Sequence, residues 1–458
     1  MMEKIIAFLK HRGFVWPSAE IYGGGSAIFD WAPLGALLKN NLKNLWWQRF
    51  VVNRDDMAPV ETAILTKKDV LAASGHLKNF TDPLVECPDC RGRWRQDEIN
   101  GKNPRADLPR RQAGAHGIFV PPCAPPSAEF ISWNKKCPAC GKKNLTKPRD
   151  FQLMFGTNDD LYLRPETAQG MFVNFKNVID SCRLKLPCGI AQIGKAFRNE
   201  ITVGNNIFRT REFEQAEIEY FVPPAEAKEW FERWLKEWYD FFIDLGLAQN
   251  KLRLRPHSKE ELAHYSQQTT DIEYHFPWGW AELAGVANRG DYDLQNHSKA
   301  SGVDLSYFNP ETNEKIIPFV IEPTLGLDRL ILALIINGWQ ESDGSDGRSK
   351  GERVLNISPA LAPVTATVLP LVKKEELVKV ARGLLKELRQ SGIYCQYDES
   401  GSIGRRYRRQ DEIGTPWCIT IDFDSLKDKK ATIRHRDTMK QERVVISKIG
   451  DWLKSELK

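Results

Sequence analysis

Read with a period of two, the run from Ile190 to Glu200 puts Gln192, Gly194, Ala196, Arg198 and Glu200 on one face, with Ile193 and Phe197 on the other. The run from Phe208 to Tyr220 alternates in the same way, with Arg209, Arg211, Phe213, Gln215 and Glu217 opposite Phe208, Ala216, Ile218 and Tyr220. Both predict strands, joined by the polar loop TVGNN, whose Gly204 and two Asn residues suit a tight turn. In VIEPTLGLDRLILALIING an apolar strand ends at Glu322. Pro323 and Gly326 break it, and a helix apolar almost all round is expected until Gly338. Leu377, Val380, Ala381, Leu384 and Leu388 recur at helical spacing before Gly392. Short strands are expected at IYCQYD, PWCITID and ATIRHRD, and a final helix from about 438. Near the start, LGALLKNNLKNLWWQRF predicts a long helix leading to a strand at DMAPVETAIL.

These patterns divide the chain. Residues 1–340 mix helix and strand and are rich in Trp and Phe. Within them, 84–149 has another character, with ECPDCRGRWRQ, a basic Pro-bearing piece and KKCPACGKK. Residues 338–353, dense in Gly, Ser and charge, are expected to be a linker. Residues 354–458 alternate strand and helix and predict a small α/β domain. No internal repeat is visible.

Composition narrows the class. A chain of 458 residues exceeds one ordinary domain, and 41% hydrophobic with 27% charged residues describes a soluble globular protein. No apolar run approaches the ~18 residues of a membrane span, and MMEKIIAFLKHRGF lacks a signal peptide's apolar region. Nine cysteines, including two CxxC pairs, fit metal binding in a reducing cytoplasm better than a disulfide scaffold. A net charge of +5 permits a nucleic-acid partner without requiring one.

The charged strand faces admit two readings: the wet side of an antiparallel sheet, or a binding surface. Arginines offer paired donors to phosphate or carboxylate, Phe213 a flat face for a purine, Glu200 an acceptor for an exocyclic amine, and Glu217 a partner for an ammonium. No GxxxxGK[ST] segment supplies a phosphate loop. Arg329, in the first turn of its helix, opposes the helix dipole, which favours a bound anion there over a plain surface role. Cys87, Cys90, Cys137 and Cys140 have the spacing of two zinc knuckles, with Cys123 a possible substitute ligand and the other cysteines core or incidental. RRYRRQDEIGTP combines Arg405, Arg406, Arg408 and Arg409 with Tyr407, suited to phosphate contact and base stacking, or simply to a solvated face.

FRNE followed by FRTREFEQAEIEYF resembles the second signature motif of class II aminoacyl-tRNA synthetases. It is especially similar to that of the single-polypeptide, homodimeric glycyl-tRNA synthetases. The likeness continues in order through GFVWPSAEIYGG, DWAPLGALLKNNL, ASGHLKNFTDPLVEC, LYLRPETAQGMFVNFKNV, WAELAGVANRGDYDL, VIEPTLGLDR and DEIGTPWCITID. It implies an α+β fold: a class II antiparallel sheet flanked by helices, a zinc-ribbon-like insert and a C-terminal anticodon-binding domain. The implied activity is ATP-dependent ligation of glycine to tRNA(Gly) through glycyl-adenylate, with Mg2+ and a structural Zn2+ as cofactors, in a cytoplasmic homodimer.

The resemblance also implies roles. Arg198 would hold the α-phosphate and the substrate carboxylate, and Glu200 the adenine edge. Asn199, Phe208, Arg209 and Arg211 would line the ATP site, with Phe213 stacked on adenine. Glu282, Leu283, Gly326 and Arg329 would complete it, with Glu322 near the metal-bound phosphates. Glu166 and Glu217 would bind the glycine ammonium, joined by Gln215, Arg289, Glu322, Thr324 and, through a likeness of RWRQD to another family segment, Arg95. The family has Ser where this chain has Thr324. Its first motif is irregular here too, with Ala63 where other class II enzymes place Pro. The insert would approach the tRNA acceptor arm. The competing readings are a class II synthetase for another small amino acid, a non-catalytic relative that binds nucleic acid, and a zinc-stabilised RNA-binding protein.

Overall fold

The two alternating runs become neighbours inside a seven-stranded sheet of the computed structural model, which describes residues 1–99, 135–202, 204–263, 265–345 and 348–457. Its strands are β1 (Met57–Pro59), β2 (Cys188–Phe197), β3 (Glu212–Val222), β4 (Leu252–Pro256), β5 (Gln268–Phe276), β6 (Gly279–Gly290) and β7 (Phe319–Gly326). They lie in the order β4-β5-β6-β7-β3-β2-β1. Every neighbouring pair is antiparallel except β2 with β1. The last strand made, β7, therefore slots between β3 and β6.

The helices around it are α1 (Met2–His11), α2 (Pro33–Trp47), α3 (Ala168–Val173), α4 (Phe175–Cys182), α5 (Ala227–Asp244), α6 (Tyr292–Ser301) and α7 (Leu327–Gly338). Pro33 opens α2 at the first helical position, where its missing N–H costs no bond. In α5, Phe231, Trp234, Trp238, Phe241 and Phe242 fall on one stripe and are buried. That stripe joins Leu42 and Trp46 of α2, Ile331 of α7 and Ile218 and Tyr220 of β3 in the main core. On the opposite face of the sheet, Phe172, Phe175 and Leu294 from α3, α4 and α6 pack on Phe221. Lys39 of α2 meets Asp328 at the start of α7 at 2.8 Å and Glu214 at 2.9 Å, a buried tie across the main core.

One expectation is corrected, one of two open readings is excluded, and the expected linker carries structure of its own. β2 ends at Phe197 and β3 begins at Glu212, so Arg198, Glu200, Arg209 and Arg211 sit on the connection between them, where Asn205 and Asn206 adopt left-handed conformations. The polar face is no wet surface: Gln192, Gln215, Glu217 and Glu219 are all buried. Residues 338–353 are not slack chain, because Trp339–Glu341 and Arg353–Leu355 pair antiparallel.

The C-terminal residues form β8 (Ala366–Pro370), α8 (Glu375–Gln390), β9 (Cys395–Tyr397), α9 (Ile403–Ile413), β10 (Trp417–Ile421), α10 (Phe423–Asp428), β11 (Lys430–His435), β12 (Gln441–Val445) and α11 (Ile449–Glu456). The sheet order is β9-β8-β10-β11-β12. The helix expected from about 438 starts only at Ile449. The chain before it pairs with β11, favoured by the β-branched Val444 and Val445 and by Arg443, which reaches Asp428 at 2.9 Å.

Candidate active site

One row of register partners crosses the main sheet: Gln192 faces Glu217, Glu217 faces Thr324, Thr324 faces Gly285, Gly285 faces Asp271, and Asp271 faces Arg255. Partners directly opposite share a face, so this row is polar on five of its six strands, with Gly285 at β6. A cleft of about 480 Å³ opens along it. Gly285 leaves its middle open, since a Cβ there would meet nothing nearer than Asp271 Oδ1 at 3.7 Å. At Gly194, in the next row, a Cβ would lie 2.2 Å from the Arg164 guanidinium. Arg164 fills that space to bond the Lys195 carbonyl at 2.7 Å and the Thr62 carbonyl at 2.9 Å.

The inner end of the cleft is a buried set of carboxyls around one arginine. Arg289, 1% exposed, gives Nε to Asp293 at 2.7 Å, Nη2 to Asp293 at 3.0 Å and Nη1 to Glu322 at 2.9 Å. Its guanidinium lies between the rings of Tyr265, 3.8 Å away, and Phe172, 5.2 Å away. Glu166 accepts from Gln169 at 3.0 Å and lies 3.4 Å from His76. Burial alone would raise the Glu166 pKa. His76 and Arg289 overcome that and hold its carboxyl well below the usual range. Glu217 accepts from the Thr167 hydroxyl, and burial and the Glu166 carboxylate push its pKa up. Burial, with Glu217 and Glu166, pushes Glu322 up to about 8 against the pull of Arg289. The Thr324 hydroxyl, buried on the same floor, has no partner among the described residues.

The outer end is a set of arginines on aromatic faces. Arg198 leaves β2 to bond the Pro165 carbonyl at 3.0 Å and lies 5.3 Å from the rings of both Phe80 and Phe213. Arg209 sits 3.5 Å from Glu200. Arg329 reaches Glu282 at 3.0 Å, lies over the Phe208 ring at 4.7 Å and lowers the Glu282 carboxyl pKa. Gly326 leaves room beside it, where a Cβ would touch only the Arg329 side chain, at 3.7 Å. Asp271 is pushed up to about 6 by burial and by Glu282, while His257 stands 2.9 Å away.

The cleft thus gathers Glu166, Arg198, Glu200, Phe208, Arg209, Phe213, Gln215, Glu217, Glu282, Leu283, Glu322, Thr324, Gly326 and Arg329 from the sequence expectation, with Arg289 beneath Glu322. Glu322 lies at the inner end, where it accepts from Arg289. Arg95, Asn199 and Arg211 are not in its lining. Arg95 closes a small strand, Arg93–Arg95, and bonds Asp82 at 2.9 Å. The backbone amide of Asn199 bonds the Leu153 carbonyl at 2.6 Å, and that of Arg211 the Ala27 carbonyl at 3.0 Å. Sequence reading missed Glu219, Arg164, His76, Gln169, Asp293 and Tyr265. Glu219 was within reach, since it continues the period-two face of Glu217. The others come from separate elements that only folding unites.

Two further groups lie away from the cleft. Cys87 and Cys140 have sulfurs 3.7 Å apart, Cys90 and Cys137 3.6 Å apart, and all four lie within 4.8 Å of one another. Four thiolates about 2.3 Å from a tetrahedral Zn2+ stand roughly 3.8 Å apart, so the set fits that ion. Each knuckle turns back on itself, with Arg91 N bonding the Cys87 carbonyl at 2.8 Å and Gly141 N the Cys137 carbonyl at 2.9 Å. Cys123 lies outside the described residues. In α9 the basic run divides. Arg405 is exposed, but Arg406 is buried and binds the carbonyls of Pro370 at 2.6 Å, Leu371 at 3.0 Å and Asp398 at 3.2 Å, so it is not offered to a partner. Tyr407 bonds Thr420 at 2.6 Å, Arg408 pairs with Glu352 at 2.6 Å and Arg409 with Asp398 at 2.5 Å. Helical periodicity turns one arginine of the run inward, which a reading of charge alone does not register.

Residues 151–337 match the family model described as tRNA synthetase class II core domain (G, H, P, S and T), and residues 365–456 the anticodon binding domain. The chain is 48% identical to a glycine–tRNA ligase of Caldanaerobacter subterraneus subsp. tengcongensis over 100% of this chain and 98% of that protein. A glycine–tRNA ligase of Geobacillus kaustophilus is also 48% identical, over 100% of this chain and 99% of its own. Among solved structures, prolyl-tRNA synthetase from Cryptosporidium parvum complexed with L-proline and AMP superposes with a TM-score of 0.61 at 16% identity. That match covers 99% of this chain and 74% of that one, and it speaks for the fold alone. With a near full-length match at this identity and a class II core around the cleft, the chain belongs to the glycine–tRNA ligase family of class II aminoacyl-tRNA synthetases.

Proposed function

We propose that the protein activates glycine with ATP and transfers it to tRNA(Gly). The observation that carries this reading is the division of one cleft into a carboxyl-rich inner end and an arginine-rich outer end. The ammonium of glycine docks against Glu166 and Glu217, with Glu322 and Thr324 beside it, and its carboxylate turns toward Arg198. ATP takes the outer end, with adenine on Phe213 and its phosphates near Arg209 and Arg329. A carboxylate oxygen of glycine then attacks the α-phosphorus. The new O–P bond forms as the bond to the bridging oxygen breaks, and pyrophosphate leaves. The terminal adenosine hydroxyl of the tRNA next attacks the glycyl carbonyl, gives up its proton and releases AMP. No side chain acts as nucleophile, so the rate comes from positioning and from charge neutralisation by fixed arginines.

Mg2+ arriving with ATP would neutralise phosphate charge, and Glu282 is the outer carboxylate best suited to it. Cys87, Cys90, Cys137 and Cys140 hold a structural Zn2+ in this reading. Rejection of larger amino acids follows from geometry: glycine has no side chain to grip, so a pocket closed around its Cα excludes others by collision. A methyl forced into such a site costs roughly 1–3 kcal/mol. Thr324, with a methyl more than Ser, tightens that floor.

The domain division at 338–353 and the binding of the tRNA anticodon by residues 354–458 are part of the same proposal, supported by the separate C-terminal sheet. So is a cytoplasmic homodimer. Its support is the position of β1 at the sheet edge, with Val52 and Leu65 on flanking segments 57% and 52% exposed. No helix among the described residues is long and apolar enough to cross a membrane. The test is ATP–pyrophosphate exchange with glycine, alanine, serine and proline. Exchange with glycine alone supports the reading. Exchange with another amino acid overturns the substrate, and none at all overturns the chemistry.

A further inference from the structure

Glu219 lies two residues beyond Glu217 on β3, on the same face, and is 0% exposed. One carboxyl oxygen from each of Glu217, Glu219 and Glu322 falls within 4.8 Å of the others. Every other carboxyl of this pocket has something to stabilise its charge. Glu166 has His76 and Gln169, Glu217 has Thr167, and Glu322 and Asp293 share Arg289. Neither oxygen of Glu219 has a hydrogen-bond partner among the described residues.

The charged groups that act most strongly on Glu219 are Glu322 from β7, Arg289 from β6, Glu217 from its own strand and Asp293 from α6. Arg289 is the one cation among them, and each of its three nitrogens is already bonded to Asp293 or Glu322. A third anion here would be buried, unpaired and set against two others, and a buried group in that position gives up its charge.

We propose that Glu219 is a positioning residue of the amino-group pocket: a carboxylic acid that keeps its proton and, by donating it to Glu217 or Glu322, lets both carry charge once the substrate ammonium is bound. The proposal rests on the reading above in which that ammonium docks at Glu166 and Glu217. Burial, and next the Glu322 carboxylate, raise the Glu219 pKa well above the usual value, in accord with the geometry. The proton has a mechanical role. A neutral acid supplies one donor and one acceptor, so it can bridge two carboxylates that would otherwise repel each other. Without it, either Glu217 or Glu322 would have to take the proton, and the pocket would lose a partner for the ammonium.

The test compares E219Q, E219L and E217Q in glycine-dependent ATP–pyrophosphate exchange, with infrared spectra of the wild type and E219Q at pH 7. Glutamine keeps the size and the donor, so E219Q is expected to hold the KM for glycine within about fivefold. Leucine removes the donor and should raise that KM about 30-fold, with the KM for ATP unmoved. The carbonyl stretch of a protonated carboxyl should be present in the wild type and missing from E219Q. If E219Q raises the glycine KM as far as E217Q does and no band is lost, Glu219 is an anion that binds the ammonium directly, and the proposal falls. It falls too if E219L behaves as wild type. Should E219L fail to fold, as judged by its melting temperature, the glutamine variant and the band decide. Should E217Q leave the glycine KM unchanged, the docking reading fails and takes the positioning role with it, while the band still reports whether Glu219 holds a proton.

Discussion

At the inner end of the cleft, Arg289 is locked between Asp293 and Glu322, and Gln169 bridges Glu166 to Asp293 at 3.1 Å. At the outer end, Arg329 and Arg209 rest on Glu282 and Glu200, carboxylates that face the same open space. In the proposed reading Arg289, Asp293 and Gln169, which lie outside the cleft lining, stay in place when substrate arrives. The outer partners occupy positions that phosphates or an adenine edge would take over. A small substrate with few handles needs a pocket already made. A large, highly charged one can displace provisional partners and be held by the groups it frees.

The comparison is tested hardest at the outer end. Arg198→Ala should lower the turnover of glycine-dependent exchange about 100- to 1,000-fold, the effect of removing one fixed donor from a developing charge. A loss under tenfold would show that Arg198 is not at the reacting phosphate. At the inner end, Glu217→Gln should raise the KM for glycine about 100-fold, the loss of a charged hydrogen bond, with the KM for ATP nearly constant. An equal rise in both would dissolve the division into two ends.

The same contrast between committed and available arginines recurs in α9. Arg406→Ala, which strands three carbonyls, should destabilise the C-terminal domain by about 2–3 kcal/mol in denaturant unfolding. Arg405→Ala should change stability by less than about 0.5 kcal/mol and instead weaken tRNA binding. The smallest effect is expected from Cys140→Ser, which should abolish bound zinc by elemental analysis yet alter glycine exchange less than about threefold, since the knuckles lie outside the cleft lining. A large loss of exchange would mean that the cysteine lobe supports the cleft itself.

The sequence made the centre of this site legible because strand periodicity is local. Phe213, Gln215 and Glu217 had to share a face once β3 existed, and the buried α7 followed from an unbroken apolar run. It did not make Arg289 legible as a buried hub, since Asp293, Glu322, Tyr265 and Phe172 approach it from separate parts of the chain. Arg406 eluded the reading of α9 for a related reason: charge suggested solvent, while the helix turn carried that one side chain under β8. The helix expected from about 438 failed because apolar residues in a short terminal segment suit either a helix or a strand edge, and pairing with β11 decided between them.

The placement of β7 between β3 and β6 has a consequence for how the molecule is made. A ribosome delivers both flanking strands well before residue 326, so each waits with one edge unpaired and part of the future pocket exposed. Lys39 waits longer still, for Asp328. Closure of the catalytic core is therefore a late event in synthesis, and a nascent chain halted before β7 emerges presents two open strand edges for wrong pairing.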